Sequence, residues 1–324
     1  MIESELGRIL QIMEQEFSVK GKREAFSKAF FKISSRYREG EESGRFLQEE
    51  EDRLAYLFTR LPGTFSAICR VLQESKERAP LFSPTSLLDV GAGPGTGMWA
   101  ALHVLDTLTS CTLLEKDTAF MSIGKQLVKN SSFSFAKEAS WKCCDLELLE
   151  KVEPHDLVLL SYSIGEIPEG RWQTLLPVLW KATKQAICII EPGTPRGYSR
   201  LMKIREILLG LGGHLWAPCP HALRCPLIQG DWCHFSVRVP RSSLHRNLKG
   251  AALSYEDEKY SYLLFGKEPA QPVTGRILRH PQKRSGHVEF VVCQKEGIQK
   301  KITSKKEGDL YKQQKKLEWG DSWP

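Results

Sequence analysis

The stretch of sequence that decides the fold is LLDVGAGPGTG, which occupies residues 87–97. Apolar residues run into a glycine-rich turn, and a helix is predicted to begin near Thr96. Glycine lets the backbone turn sharply and come close to a ligand, and the start of a helix offers free amide groups and the positive end of a dipole. We therefore expect Gly91, Gly93 and Gly95 to bind a nucleotide-like cofactor, with a glycine turn that holds no ligand as the alternative.

Outward from this stretch, short apolar runs alternate with amphipathic segments. From residue 86 onward the apolar runs are SLLDV, CTLLE, SWKCCD, DLVLLS and AICIIE. This alternation is typical of a parallel sheet whose strands are joined by crossover helices, so the predicted fold class is α/β and Rossmann-like. Two later runs, YSYLLF (260–265) and HVEFVVC (287–293), are predicted to pair as antiparallel strands that close the edge of the sheet.

The sequence before and after the predicted sheet has a different pattern of apolar and charged residues. Apolar residues three and four apart predict a helical N-terminal region over 1–80, with Pro62-Gly63 expected to break or restart a helix. The α/β domain is predicted over 81–296, and a basic C-terminal tail over 297–324. Within the α/β domain, residues 212–258 have little periodicity and are predicted to form a cysteine-rich insertion that binds metal.

Acidic residues come at the predicted ends of three successive strands: Asp89, Glu115 and Asp145. Asp89 would repel a pyrophosphate and favours a cofactor with a cationic or amino-acid end. The pattern from Asp89 to Gly95 resembles motif I of class I S-adenosylmethionine-dependent methyltransferases. That resemblance implies that Glu115 holds the ribose hydroxyls and that Asp145 meets the adenine amino group. We therefore expect a class I methyltransferase sheet that binds S-adenosylmethionine through these residues and the three glycines.

The segment after the fourth strand, residues 161–168, carries no recognisable methyl-acceptor site. It lacks the Asn/Asp-Pro-Pro-aromatic tetrad that is usual in methyltransferases acting on base amino groups. Cys188 lies within a strand and is expected to be buried and inert rather than nucleophilic. Glu166 could act as a base, but an exposed loop carboxylate explains it more simply. No catalytic residue is therefore assigned.

Four cysteines form a second group of candidate functional residues. Cys219, Cys225 and Cys233 are spaced C-x5-C-x7-C, and Cys293 is available at the end of a late strand. The spacing is wider than in a zinc knuckle, and two of the cysteines precede proline, as in ferredoxin motifs. Four thiolates around a [4Fe–4S] cluster are our first interpretation. Zinc held by four cysteines, or by three and a histidine, is the second, and three unrelated buried thiols are the third.

Positive charge is concentrated near the C-terminus. The chain carries a net charge of +7, and residues 271–324, with twelve Lys and Arg against six Asp and Glu, account for +6 of it. Such a surplus favours a polyanionic partner, most often a nucleic acid, although a solvated surface is the alternative. The residues expected to contact RNA phosphates are Arg276, Arg279, Lys283, Arg284, Lys300, Lys301, Lys305 and Lys306.

Several motifs together resemble a known family, the ribosome-associated methyltransferase-like proteins of the mitochondrial small ribosomal subunit and their bacterial relatives. The motifs are SSRYR (34–38), LLDVGAGPGTG (87–97), EPGTPRG (191–197), PCPH, CPL and DWCHF (within 218–235), YEDEKYSYLLF (255–265) and SKKEGDLYKQQKKLEWGD (304–321). The resemblance implies a class I methyltransferase fold that carries a [4Fe–4S] cluster on Cys219, Cys225, Cys233 and Cys293. It also implies binding to small-subunit ribosomal RNA during subunit assembly, with methyl transfer in doubt and an active rRNA methyltransferase as the alternative.

The compartment is predicted from the N-terminus and from the apolar runs. The chain begins with an acidic segment, unlike a signal peptide or an organelle presequence. No apolar run reaches the length that a bilayer requires. We therefore expect a soluble protein of the bacterial cytoplasm, or of the mitochondrial matrix if the source is eukaryotic.

Overall fold

The computed structural model describes residues 2–17, 23–39, 49–227 and 230–324. Its helices are α1 (Ile2–Glu16), α2 (Arg23–Glu39), α3 (Glu50–Arg78), α4 (Thr96–Val104), α5 (Thr118–Lys129), α6 (Ser134–Lys137), α7 (Glu169–Ala182), α8 (Pro195–Gly210), α9 (Ser243–Lys249) and α10 (Asp309–Gln314). Its strands are β1 (Ser86–Val90), β2 (Ser110–Glu115), β3 (Ser140–Cys143), β4 (His155–Ser161), β5 (Thr183–Pro192), β6 (His214–Ala217), β7 (Phe235–Pro240), β8 (Tyr255–Gly266), β9 (Gly275–Ile277), β10 (Gln282–Lys283), β11 (His287–Gln294), β12 (Gly297–Ser304) and β13 (Ser322–Trp323). None of these helices combines the length and the apolar character that a membrane span requires.

The main sheet is built around the glycine-rich stretch. Its strand order is β3-β2-β1-β4-β5-β8-β6, and β7 pairs with the first half of β8. Neighbouring strands from β3 to β5 in this order are parallel, whereas β8 runs antiparallel to β5, β6 and β7. The order 3-2-1-4-5 is that of a Rossmann-like sheet. The α/β prediction is therefore confirmed.

The predicted pairing of YSYLLF (260–265) with HVEFVVC (287–293) is wrong. The first run belongs to β8 inside the main sheet, and the second is β11 of a separate sheet. The reason is burial, because every residue of 260–265 is at most 5% exposed, as a strand covered on both faces requires. In β11, by contrast, buried Val288, Phe290 and Val292 alternate with partly exposed residues, which suits a sheet covered mainly on one face.

The long helix α3 packs against α4 and against β6, β7 and β8 of the main sheet. Pro62-Gly63 does not interrupt it, contrary to the prediction. Leu61, Phe65 and Ile68 on either side of the proline are buried in the core, and such burial offsets the cost of about 3 kcal/mol that a proline imposes inside a helix. Gly63 allows close packing, since a Cβ there would lie 3.0 Å from Oε2 of Glu258.

A second sheet contains the C-terminal part of the chain. Its strand order is β10-β11-β9-β13, and β12 pairs with the whole length of β11. Its buried core consists of Ile277, Val288, Phe290, Val292 and Trp323. The expected basic tail over 297–324 is therefore not a tail, because residues 297–304 form β12 and the final residues form β13. The predicted boundary after residue 296 falls in the turn of the β11–β12 hairpin.

The expected insertion over 212–258 is more regular than its composition indicates. β6, β7 and the first half of β8 belong to the main sheet, and α9 packs against α2 and α3. The long irregular part is the segment 218–234, in which residues 228–229 lie outside the described chain. A metal centre would therefore need to hold only this shorter segment, which we call the cysteine loop.

Candidate functional site

The glycine-rich turn has the backbone conformation that its sequence predicts. Gly91, Gly93 and Gly95 have φ angles of 70°, 54° and 85°, which L side chains rarely adopt. A Cβ at Gly91 would also lie only 2.4 Å from the Cβ of Ser163. Gly95 is the N-cap of α4, so the turn leads directly into a helix that begins at Thr96.

A cavity opens at the carboxyl ends of β1 to β4, where Rossmann-like sheets bind their ligands. Gly91 and Gly93 line it, while Gly95 shapes the turn without lining the cavity. Tyr56 and Thr64 close one side from α3. The charged lining residues are Glu115, Lys116, Asp117, Asp145, Glu147 and Glu166. With five carboxyl groups and one lysine, this acidic cavity favours a cationic ligand over a phosphate.

Glu115 and Asp145 lie where the sequence predicts, at the ends of β2 and β3. Oε2 of Glu115 accepts a hydrogen bond from the Gly93 amide at 2.7 Å, and Oε1 accepts one from the Asp117 amide at 2.8 Å. Burial outweighs these bonds and raises the pKa of Glu115 above its ordinary value. Asp145 is exposed and caps the short 3-10 turn Leu146–Leu148 through a backbone amide at 3.0 Å. Glu115 therefore holds the glycine turn as well as facing the cavity.

Asp89 does not line the cavity, contrary to the expectation that it contacts a cofactor. Its side chain is fully buried beneath α4, where Oδ2 accepts from the Met98 amide at 3.1 Å. Oδ1 has no hydrogen-bond partner among the described residues. A Cβ at Gly97 would lie 2.5 Å from Oδ2, so the helix start packs directly on the carboxyl group. Asp89 thus positions the first turn of α4 and acts on the cavity only through the glycine turn.

We expect Asp89→Asn to change how stability depends on pH. Burial raises the pKa of Asp89 from 3.8 to about 7, so the folded chain holds a proton that the unfolded chain loses between these values. The free energy of unfolding contributed by Asp89 therefore falls as the pH rises from about 4 to about 7 and stays low above pH 7. Denaturant unfolding measures the free energy of unfolding of both proteins at pH 5 and at pH 8. The variant's value relative to that of wild type should be about 2 kcal/mol higher at pH 8 than at pH 5. An equal difference between variant and wild type at the two pH values would contradict this prediction.

Tyr162 is a cavity residue that sequence reasoning missed. It directly follows β4 with a φ of 57°, which is unusual for a residue other than glycine and is often found at functional sites. Its Oη donates to Oε1 of Glu258 at 3.3 Å, and Nη2 of Arg60 donates to the same oxygen at 3.3 Å. The only sequence feature that could have pointed to Tyr162 as a cavity residue is its position directly after the fourth predicted strand. Nothing in the local sequence marks Tyr56 or Thr64 of α3, which precede the sheet.

The two residues considered for catalysis lie in different surroundings. Glu166 lines the cavity together with Ser161 and Ser163. Cys188 lies in β5 and is fully buried, and this burial raises the pKa of its thiol well above the ordinary value. Only the thiolate is nucleophilic, so Cys188 is a core residue.

A second cavity brings together the four predicted cysteines. Cys219, Cys225, Cys233 and Cys293 all line it, although three belong to the cysteine loop and the fourth to β11. Burial, together with neighbouring cysteines, raises the pKa of Cys293 to about 12 and that of Cys233 well above its ordinary value. In the part of the chain that the structure describes, no three His, Cys, Asp or Glu side chains are arranged to hold a metal ion. The four thiols are thus gathered in one place without forming a compact single-ion site.

The two histidines of the cysteine loop, His221 and His234, do not line this cavity. Nε2 of His221 is hydrogen-bonded to the carbonyl of Gln294 at 3.0 Å, while its Nδ1 is buried without a hydrogen-bond partner among the described residues. The ring of His234 stacks on Trp232, with 5.1 Å between the ring centroids. The lining of the cavity therefore does not support zinc held by three cysteines and one of these histidines.

Arg276 is not available to RNA, contrary to the prediction. Its side chain is 1% exposed and donates to Oε1 of Glu74 at 2.6 Å, to the carbonyl of Pro218 at 2.8 Å and to the carbonyl of Gly320 at 2.7 Å. It therefore links α3, the cysteine loop and the C-terminal segment. An arginine in a basic stretch of sequence is here an internal structural residue.

The other predicted RNA-binding residues lie nearer the surface of the second sheet. Arg279 and Lys283 form ion pairs with Asp231 and Glu318. Lys301 is half-buried, and Arg284, Lys300, Lys305 and Lys306 are exposed. Phosphate groups would find these exposed residues at or beside the β11–β12 hairpin.

The sequence profile of the mitochondrial small ribosomal subunit family Rsm22 matches residues 50–324, which include both cavities and the second sheet. The chain belongs to the Rsm22 family. Human ribosome assembly protein METTL17, mitochondrial, is 28% identical over 295 residues, which are 84% of this Rsm22-family chain and 62% of the human protein. The mitochondrial Rsm22-cox11 tandem protein 2 of Schizosaccharomyces pombe is 27% identical over 330 residues, which cover 84% of this chain and 43% of the yeast protein. The chain thus spans about three-fifths of the human relative and less than half of the yeast one.

Solved structures similar to this Rsm22-family chain include S-adenosylmethionine-dependent methyltransferases. The N-methyltransferase NodS from Bradyrhizobium japonicum, in complex with S-adenosyl-L-homocysteine, is 12% identical with a TM-score of 0.42 and covers 69% of this chain and 95% of its own. Magnesium protoporphyrin IX methyltransferase from Synechocystis PCC 6803, with bound S-adenosylmethionine, is 11% identical with a TM-score of 0.41. The match covers 64% of this chain and 80% of the Synechocystis chain. The strand order of the main sheet shows by itself that the Rsm22-family chain has a Rossmann-like α/β fold.

Proposed function

We propose that this Rsm22-family chain is an assembly factor of the small ribosomal subunit that binds S-adenosylmethionine, a metal centre and ribosomal RNA. The observation that carries the proposal is the family match over residues 50–324, because one chain then contains both cavities and the basic second sheet. The human relative is itself described as a ribosome assembly protein. The place of action would be the mitochondrial matrix in a eukaryote or the cytoplasm in a bacterium.

S-adenosylmethionine suits the first cavity by charge and by backbone shape. The glycine turn offers a close approach without side chains, and the carboxyl groups around it favour a sulfonium and an ammonium group. Glu115 would accept from the ribose hydroxyls and Asp145 from the adenine amino group. When bound, the cofactor would supply an electrophilic methyl group. Asp89 would contribute indirectly, by holding the first turn of α4 in place.

Glu115→Ala is expected to weaken S-adenosylmethionine binding by roughly 10- to 100-fold. The change removes a charged acceptor, for which a hydrogen bond contributes about 1.5–3 kcal/mol, and it also frees the Gly93 amide that Glu115 holds at 2.7 Å. Isothermal titration calorimetry measures the dissociation constant, and circular dichroism checks the fold. Glu150→Ala, at an exposed residue outside the cavity, is the matched control. Equal affinity in wild type and Glu115→Ala would contradict the assignment of this cavity.

The second cavity would hold a [4Fe–4S] cluster, with zinc on the same four cysteines as the alternative. One feature supports a metal centre at this place, namely that all four thiols line one cavity. Four iron atoms and four sulfides occupy more space than one ion and accept sulfur ligands from several directions. Because its ligands come from the cysteine loop and from β11, the centre would tie the second sheet to the main sheet.

Methyl transfer by this chain is the second candidate function, and the four functional groups Tyr162, Ser161, Ser163 and Glu166 in the cavity favour it. It is tested together with the assembly role. Small-subunit particles from cells that lack the protein are mixed with it and with methyl-labelled S-adenosylmethionine, and sedimentation and label are measured. An assembly factor should co-sediment with the particles and transfer no label. Label in the RNA that Glu115→Ala fails to transfer would establish the enzyme, and absence of co-sedimentation would reject the assembly role.

A further inference from the structure

Two arginines are buried beside the four-cysteine cavity. Arg205 on α8 and Arg276 on β9 are each only 1% exposed, and both act electrostatically on Cys219. Buried arginines are rare unless a negative charge accompanies them. Arg276 has one in Glu74, at 2.6 Å. The only carboxylate paired with Arg205 among the described residues is Glu206, which is 70% exposed to solvent.

The contacts of Arg205 point toward the cysteine loop. Its Nη2 donates to the carbonyl of Leu223 at 2.7 Å and to that of His221 at 3.3 Å. Its Nε is buried without a hydrogen-bond partner among the described residues. An orphaned donor on a buried cation requires an acceptor. The two carbonyls that Arg205 holds are each two residues from a candidate ligand, Cys219 or Cys225.

Arg276 approaches the same cavity from the second sheet. It lines the cavity directly and is the register partner of Cys293 across the β9–β11 pair. Its Nε donates to the carbonyl of Pro218, the residue before Cys219. The two arginines therefore hold the cysteine loop from two sides, but only Arg205 lacks a buried carboxylate partner, because Arg276 is paired with Glu74.

A third donor comes from α8. The hydroxyl of Tyr198 lies 3.3 Å from Sγ of Cys225 and donates to it. Tyr198 lines the cavity from the same face of α8 as Arg205, about two turns before it. Hydrogen bonds to ligand sulfurs are a recurring means of stabilising thiolate-bound metal centres.

We propose that Arg205 is a buried counter-charge of the metal centre and that Tyr198 is a hydrogen-bond donor to one of its sulfur ligands, an inference that rests on the proposed function of the second cavity. Four thiolates around an oxidised [4Fe–4S] core, or around Zn²⁺, leave a net charge of −2. Such a charge is costly to bury unless cations compensate it. Arg205 supplies one compensating charge with either metal, whereas the charge of Arg276 is already balanced by Glu74. These are positioning residues, since none of them is a ligand.

The test compares metal retention in anaerobically purified full-length protein. Wild type, Arg205→Met, Arg205→Lys and Tyr198→Phe are assayed for metal per chain and for the rate of metal release to an excess of chelator. Arg171→Met is the matched control, because Arg171 also lies on a helix, donates to a backbone carbonyl and has a buried Nε without a partner among the described residues, but its acceptor is Glu147, outside the cysteine loop. Where the metal is iron, the midpoint potential is a second readout.

Arg205→Met should release metal roughly 10- to 100-fold faster than wild type, and Tyr198→Phe a few-fold faster. Arg205→Lys, which keeps the charge, should lie nearer wild type, and Arg171→Met should match it. With iron, the midpoint potential of Arg205→Met should become more negative. A wild-type chain without metal would reject the proposed metal centre itself. If wild type holds metal and the release rates of Arg205→Met and Tyr198→Phe equal that of wild type, this inference alone is overturned. If Arg205→Met does not fold, the release rate of Tyr198→Phe, a smaller change, tests the inference.

Discussion

Cys219→Ser is expected to lose its metal and to unfold at least about 10 °C below wild type. A structural metal site contributes folding free energy of the order of 10 kcal/mol, which is comparable with the whole stability of a domain. Even a loss of a few kcal/mol lowers the unfolding temperature by this amount in a chain of this size. The effect should be large because Cys219 lies at the start of the cysteine loop, two residues after β6 and directly after Pro218, whose carbonyl Arg276 holds. Iron, sulfide and zinc analysis with thermal unfolding measures it.

Cys143→Ser is the matched control, since Cys143 is exposed at the end of β3 and far in sequence from the loop. It should keep the wild-type metal content and unfolding temperature. Iron and sulfide in equal amounts would identify a cluster in the wild type, and one zinc per chain would identify the alternative. Wild-type metal content in Cys219→Ser would show that the four thiols are not a ligand set.

Neutralising Lys300, Lys305 and Lys306 together with glutamine is expected to weaken binding to small-subunit ribosomal RNA by roughly 10- to 100-fold at moderate salt. These lysines are exposed on and just after β12, and no ion pair engages them among the described residues. Each phosphate contact releases counterions, so the slope of log affinity against log salt should become shallower by about one for each lysine lost. Filter binding over a series of salt concentrations measures both quantities.

The control for this triple variant is Lys125→Gln with Lys129→Gln and Lys137→Gln. These exposed lysines lie on α5 and α6, beside the opposite end of the main sheet. They should leave affinity and salt slope close to wild type if RNA binds at the second sheet. Equal losses in the two triple variants would mean that net charge alone, and not this surface, determines binding. Arg276 is unsuitable for such a test because it is buried.

Features that depend on neighbours in the sequence could be predicted. The turn at Gly91, Gly93 and Gly95 follows from residue types that tolerate positive φ, and the ends of β2 and β3 place Glu115 and Asp145 at one edge of the sheet because parallel strands end together. The grouping of the cysteine residues within the loop was also visible, as a cluster of unusual residues in a weakly periodic segment. That Cys293 would join them could be stated only from the family resemblance.

Features that depend on packing could not be predicted. Whether Asp89 faces the cavity or the helix is decided by how closely α4 approaches β1, and Gly97 lets it approach to within contact of the carboxyl group. Likewise, Pro62 can remain inside α3 because the core on both sides of it is buried, which the chain segment itself does not reveal. Tyr162 and Tyr56 meet in one cavity only after helix and sheet have packed together.

The amino-acid sequence by itself determined the α/β class, the glycine turn and the set of residues able to bind a cofactor or a metal, because strand alternation and glycine conformation are local properties of the backbone. The tertiary structure alone decided which charged residues are accessible. Arg276 and Lys300 look alike in a basic stretch of sequence, yet one is sealed between α3 and the cysteine loop while the other faces solvent. Burial depends on contacts between segments far apart in the chain, and because a buried charge is costly without a partner, Arg276 is paired with Glu74 whereas Lys300 stays in water.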